Sequence, residues 1–179
     1  MSHTLAVLVE DKPGVLNRVA SLFRRRQFNI ESLTVGHTDQ PGISRMTIVT
    51  DCTDIEIERL TAYLYKLVNV LQVNDLTHIP SVARDLAMIK VNANIESRTH
   101  IMQIVDVFRA RIVDVTNNSF IIEITGDEDK IDSFIENLRP FGILEMGRTG
   151  QVAMARGGNI QVIPPNGNGH KNMVALEMN

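Results

Sequence analysis

At 179 residues, 44% of them hydrophobic and 22% charged, the chain has the composition of a folded globular protein rather than a disordered one. A formal net charge of −3 offers no global basic field to nucleic acid or a membrane surface, and the single cysteine, Cys52, cannot close an internal disulfide. No signal peptide, transit sequence or long apolar span is legible, so the cytoplasm is the expected compartment.

The apolar run Leu5 to Val9 reads as a buried strand and Asp11-Lys12-Pro13-Gly14 as a turn into a helix. Val15, Leu16, Val19, Leu22 and Phe23 give that helix one apolar face, and Arg24, Arg25 and Arg26 close it. Those arginines admit two readings, a dock for an acidic partner or cations complementing the helix dipole. A second strand is expected from about Ile30 to His37, a turn at Gln40-Pro41-Gly42, and a third strand from Ile43 to Thr50. Thr53 and Glu56 fit a capping box for a helix with a stripe of Ile57, Leu60, Leu64 and Leu67, followed by a strand from Val70 to His78. The order is βαββαβ, the ferredoxin-like arrangement with both helices on one face of an antiparallel sheet.

Ile79-Pro80-Ser81 breaks the pattern, and the same order begins again. A strand is expected at Leu86 to Val91, a helix capped by Ser97 with Ile101, Ile104, Val105 and Phe108 inward, and a strand at Ile112 to Val115. Thr116 to Ser119 supplies a hairpin turn before Phe120 to Thr125; Asp127 caps a last helix that Pro140 stops, ahead of a strand around Ile143 to Met146. The fold class expected is therefore α+β, two ferredoxin-like units in tandem at 1–79 and 80–157. A segment at 158–179, dominated by Pro, Gly and Asn, is expected to be a flexible tail.

The first strand-to-helix turn is the candidate site. Free N–H groups of Gly14, Val15 and Leu16 at a helix start can receive a small anion, and Gly14 lets a ligand approach the backbone closely. Asp11 can take an ammonium, while Leu16, Ile30 and Val35 offer apolar walls and the Asn29 amide can read a zwitterion. Together these describe a small apolar amino acid; a capped helix start without a ligand is the alternative. The second unit has the longer polar link Asn92 to Arg98 in the equivalent place, so no carboxylate pocket is expected there.

No catalytic chemistry is legible. Gly-x-Ser-x-Gly, Gly-x-x-x-x-Gly-Lys and His-Glu-x-x-His are missing, and His3, His37, His78, His100 and His170 lack metal-ligand spacing. Neither catalytic residues nor a metal site are expected, and Cys52 reads as a small strand-end residue.

The stretch 5–36 resembles the ACT domain that opens the small, regulatory subunits of acetolactate synthase. The resemblance continues through Arg45-Met46-Thr47-Ile48, Arg111 to Val115, Glu123 to Gly126, Lys130-Ile131-Asp132, Pro140 to Glu145 and Arg148-Thr149-Gly150, covering residues 4 to about 157. It implies a homodimer joined side by side through strand two, with valine or a related branched-chain amino acid between the copies. One subunit would offer Asp11, Gly14, Val15 and Leu16, the other Asn29, Ile30 and Val35. It also implies a large catalytic subunit as partner, holding the thiamine diphosphate, magnesium and FAD that this chain would not carry. The second unit would serve activation of that partner. Family members often have Asn where this chain has Asp11, and a carboxylate there welcomes the ammonium of a ligand but repels its carboxylate.

Two rival classes fit the same order of elements. An RNA-recognition module of the same fold needs exposed sheet aromatics, and Ile43 to Thr50 contains none. A free-standing amino-acid sensor without a catalytic partner is the closer alternative.

Overall fold

The apolar periodicity and turn residues place nearly every element as expected. A computed structural model describes residues 1–157; the segment read as a tail, 158–179, lies outside the described residues. The first sheet contains β1 (Ser2–Glu10), β2 (Ser32–His37), β3 (Ile43–Asp51) and β4 (Val70–Asp75) in the order β2-β3-β1-β4, with α1 (Val15–Arg25) and α2 (Asp54–Leu64) on one face. The second contains β5 (Ser81–Asn92), β6 (Arg111–Val115), β7 (Ser119–Gly126) and β8 (Ile143–Arg148) in the order β6-β7-β5-β8, covered by α3 (Arg98–Phe108) and α4 (Glu128–Leu138). All of the strand pairings are antiparallel, so two βαββαβ units stand in tandem.

Each core follows from alternation on the strands meeting a stripe on the helices. Leu5, Val7 and Val9 of β1 pack with Val19 and Phe23 of α1 and Leu60 of α2. Ala87, Ile89 and Val91 of β5 meet Ile101 of α3 and Ile131 and Phe134 of α4. The Thr53–Glu56 capping box forms, and the Asp127 carboxylate accepts from Lys130 N–H at 3.0 Å. Leu16 departs from the expected apolar face and is 44% exposed; one residue beyond Val15, it is rotated by roughly 100° to the rim of the stripe. Ser97 does not cap α3 with its side chain: Asn94 does, its Oδ1 accepting the Ser97 N–H at 2.9 Å.

One strand was not legible. β9 (Val152–Ala155) pairs with the first half of β5, matching Ser81 with Ala155 and Arg84 with Val152. This pairing extends β5 upstream of the expected Leu86. It also places Ala153 against Ala6 and Leu76 on the face of the first sheet opposite its helices, and all three are buried. Coverage of both faces explains why Leu5 to Val9 is continuously apolar, whereas a half-solvated antiparallel strand would alternate. The Arg45 guanidinium donates to the Ala153 carbonyl at 2.6 Å across this contact, and burial holds its pKa below the usual arginine value.

Candidate functional site

The β1-to-α1 turn is braced from three directions. Asp11 N–H donates to the Gly42 carbonyl at 2.8 Å, and Glu10 N–H to the Asn69 carbonyl at 2.9 Å. The Glu10 carboxylate accepts from Lys12 Nζ at 3.0 Å and from Asn69 Nδ2 at 2.6 Å; these donors, Lys12 foremost, hold it below the ordinary carboxylate range. Asn69 Oδ1 in turn accepts from the Arg18 guanidinium of α1. Asn69 thereby ties the end of β1 and the first turns of α1 to the segment before β4. Nothing local in the sequence marks Asn69, because its side-chain contacts come from positions more than fifty residues away.

Gly14 is the N-cap of α1, with φ 84° and ψ −4°, and no side chain caps the helix. Its left-handed backbone favours glycine independently of any ligand. A β-carbon there would meet no atom within 4 Å, so the approach to the helix start is open. Of the three N–H groups expected to be free, that of Val15 is not: it donates to the Lys12 carbonyl at 3.3 Å. Among the described residues, those of Gly14 and Leu16 have no such backbone partner. Val15 itself is buried in the core, whereas Leu16 stands at the rim. The Asp11 carboxylate lies 3.2 Å from Nδ1 of His37, an exposed residue at the end of β2.

Asn29 and Ile30 stand at the other end of the same sheet. Glu10 pairs with Ile43 in the β1–β3 register, while Ser32 pairs with Val49 in the β2–β3 register. Just before β2, Glu31 N–H donates to the Val49 carbonyl at 2.8 Å, and Thr50 Oγ1 donates to the Asn29 carbonyl at 2.6 Å. Seven steps along β3 separate Ile43 from Thr50, about 23 Å at the usual rise of a strand. A single chain therefore does not bring Asn29 and Ile30 to the turn. β2 is an edge strand, and Val35 on it is 43% exposed while Ile30 and Leu33 pack toward the core.

The second unit reaches β2 from behind. Thr34 Oγ1 donates to the Thr149 carbonyl at 3.3 Å, and Gln151 N–H donates to Ser32 Oγ at 3.2 Å. The loop they touch is fixed by Asp85, which is buried and accepts from Arg148 Nε at 2.8 Å and Thr149 Oγ1 at 3.0 Å. In the arginine cluster, Arg26 lies 3.9 Å over the Tyr63 ring, and Arg24 and Arg25 occupy the last turn of α1. Among the described residues, no helix is long and apolar enough to cross a membrane.

Two histidines that looked scattered do converge. His3, Asp54 and His78 place one possible ligand atom each within 4.8 Å of one another, although 51 and 24 positions separate them in sequence. No linear spacing could have revealed that group.

Comparison with known proteins covers both units. Residues 84–157 match the family model described as the small subunit of acetolactate synthase, and residues 5–72 match the AHAS small subunit-like ACT domain. The probable acetolactate synthase small subunit of Archaeoglobus fulgidus is 55% identical over 157 residues, covering 88% of this chain and 98% of the relative. The acetolactate synthase small subunit of Mycolicibacterium smegmatis is 49% identical over 156 residues, covering 87% and 92%. The crystal structure of the Thermotoga maritima small subunit is similar at a TM-score of 0.83 and 42% identity, across 88% of this chain and 99% of that one. With both sheets matched and the relatives spanned nearly end to end, the chain belongs to the acetolactate synthase small-subunit family.

Proposed function

We propose that this chain is the regulatory subunit of an acetolactate synthase, a transferase of branched-chain amino acid synthesis, and that valine acts on it at a site divided between two copies. The supporting observation is the separation of the two half-sites along β3. A two-fold axis beside the β2 edge would pair the copies antiparallel, setting the start of one β2 next to the end of the other. That operation carries Asn29 and Ile30 of the partner subunit to the Asp11–Leu16 turn, and it covers an edge that would otherwise stay open.

In this arrangement the ligand carboxylate meets the N–H groups of Gly14 and Leu16 at the positive end of α1, with Val15 anchoring the turn in the core. The ammonium meets Asp11, whose His37 contact it displaces or shares. Leu16, Ile30 and Val35 enclose the aliphatic side chain, and the Asn29 amide binds a charged end of the ligand. The second unit, touching β2 through residues 149–151, serves activation of the large catalytic subunit. That subunit holds the thiamine diphosphate, magnesium and FAD of the reaction.

Acetolactate formation by the cognate large subunit, measured with and without this chain and with each branched-chain amino acid, tests the reading. The chain should raise the rate and valine should lower it. If neither activity nor inhibition changes, the proposal fails; copurification without any large enzyme would favour the stand-alone sensor.

A further inference from the structure

Outside the effector site, the start of β1, the start of α2 and the link after β4 meet around His3, Asp54 and His78. We propose that these three residues bind a divalent transition-metal ion of the zinc type, through His3 Nε2, His78 Nε2 and Asp54 Oδ1.

The hydrogen-bond pattern around His3 prepares it as a ligand. Thr77 Oγ1 donates its proton to Asp75 Oδ1 and accepts from the Thr4 N–H at 3.1 Å. The remaining capacity of that hydroxyl is as an acceptor, and His3 Nδ1 lies 3.3 Å from it and 3.6 Å from Asp75 Oδ2. The tautomer with its proton on Nδ1 satisfies these partners and leaves the lone pair of Nε2 for a metal ion. This nitrogen is fully buried and has no hydrogen-bond partner among the described residues. It faces Asp54 Oδ1 at 3.5 Å without a hydrogen bond between them, and a cation placed between this buried nitrogen and the carboxylate would satisfy both.

The spacing suits zinc. Ligand atoms about 2.0–2.1 Å from a tetrahedral ion stand roughly 3.3 Å apart. His3 Nε2 and His78 Nε2 lie 3.5 and 3.3 Å from Asp54 Oδ1. The two rings stand edge to face at 85° with centroids 6.0 Å apart, and His78 is exposed enough to turn and close the third edge. With both rings as ligands, the carboxylates of Asp54 and Asp75 stand opposite a dication, and the Asp75–Thr77 pair behind His3 is the outer support that metal-binding histidines usually have. An ion there would join the first β-strand to the link that begins the second unit.

Calorimetric titration of the untagged full-length protein with zinc chloride tests this, together with cobalt titration followed by its visible absorption. About one ion per chain should bind. Asp54→Ala and His78→Ala change exposed residues and should each weaken binding by well over tenfold, while Thr77→Val should weaken it by about 10- to 100-fold. His37→Ala, which alters a separate exposed histidine, should leave affinity unchanged. The proposal is overturned if zinc does not bind, or if Asp54→Ala and His78→Ala bind it as tightly as the original; the group is then an ion-pair cluster only.

Discussion

A β-carbon added at Gly150 would lie 2.5 Å from Ser32 Oγ, so the loop between β8 and β9 rests directly on the back of β2. Gly150 also has φ +84°, which side chains rarely adopt. Gly150→Ala should therefore cost about 1–3 kcal/mol, read as a lower urea midpoint. Because β2 is the strand expected to sense the effector, the variant should also respond less steeply to valine. An unchanged midpoint would show that the two units do not press on each other here.

A β-carbon at Gly14 would meet no neighbouring atom, so the cost of a side chain there is the backbone strain of φ +84° rather than a clash. Gly14→Asp places a carboxylate at the helix start, where it occupies the anion position from within. Asp accepts left-handed backbone better than most residues, so the fold should persist. Inhibition of acetolactate formation by valine should vanish and activation remain. Calorimetry showing valine bound as tightly as before would sink the assignment.

Asn29 is exposed and its backbone, not its side chain, holds the strand entry. Asn29→Ala should leave stability nearly untouched. Loss of a hydrogen bond to a charged ligand group costs ~1.5 to 3 kcal/mol, so the inhibitory valine concentration should rise by roughly one to two orders of magnitude. A full response at the original concentration argues against a role for that amide.

Val35 lies on the open edge of the first sheet. Light scattering should give a dimeric mass for the original chain. Val35→Asp places like charges near the two-fold axis and should shift the mass toward the monomer. Retention of the dimer would place the interface elsewhere.

Glu10 links pH to the geometry of the turn. Its pKa is lowered in the folded state, chiefly by Lys12 and then Asn69, from an ordinary value of 4.5. Its contribution to stability is therefore complete above that ordinary value and is lost as pH falls through the lower folded value. Glu10→Gln should lower the melting temperature slightly at neutral pH and flatten its decline over that acid range, so that the two chains converge in acid. A decline as steep as in the original chain would assign acid sensitivity to other carboxylates.

Local chemistry made much of the molecule legible. Strand alternation, the Thr53–Glu56 box, the Asp127 cap and the break at Pro80 each act within a few residues, and each formed. The four-residue turn at Asp11 was equally readable, although the positive φ of Gly14 was not, since a glycine permits many conformations and only the folded chain selects one. Tertiary structure decided the rest. β9 became a strand because the free half of β5 offered it a ladder, and Ala153 found its place only once Ala6 and Leu76 made a surface. The distance between Asn29 and the Asp11 turn came from sheet register. The meeting of His3, Asp54 and His78 came from the packing of three elements distant in sequence. Periodicity reports which face of an element is buried; which elements share that burial is set by long-range pairing, and it determines where side chains of like chemistry meet.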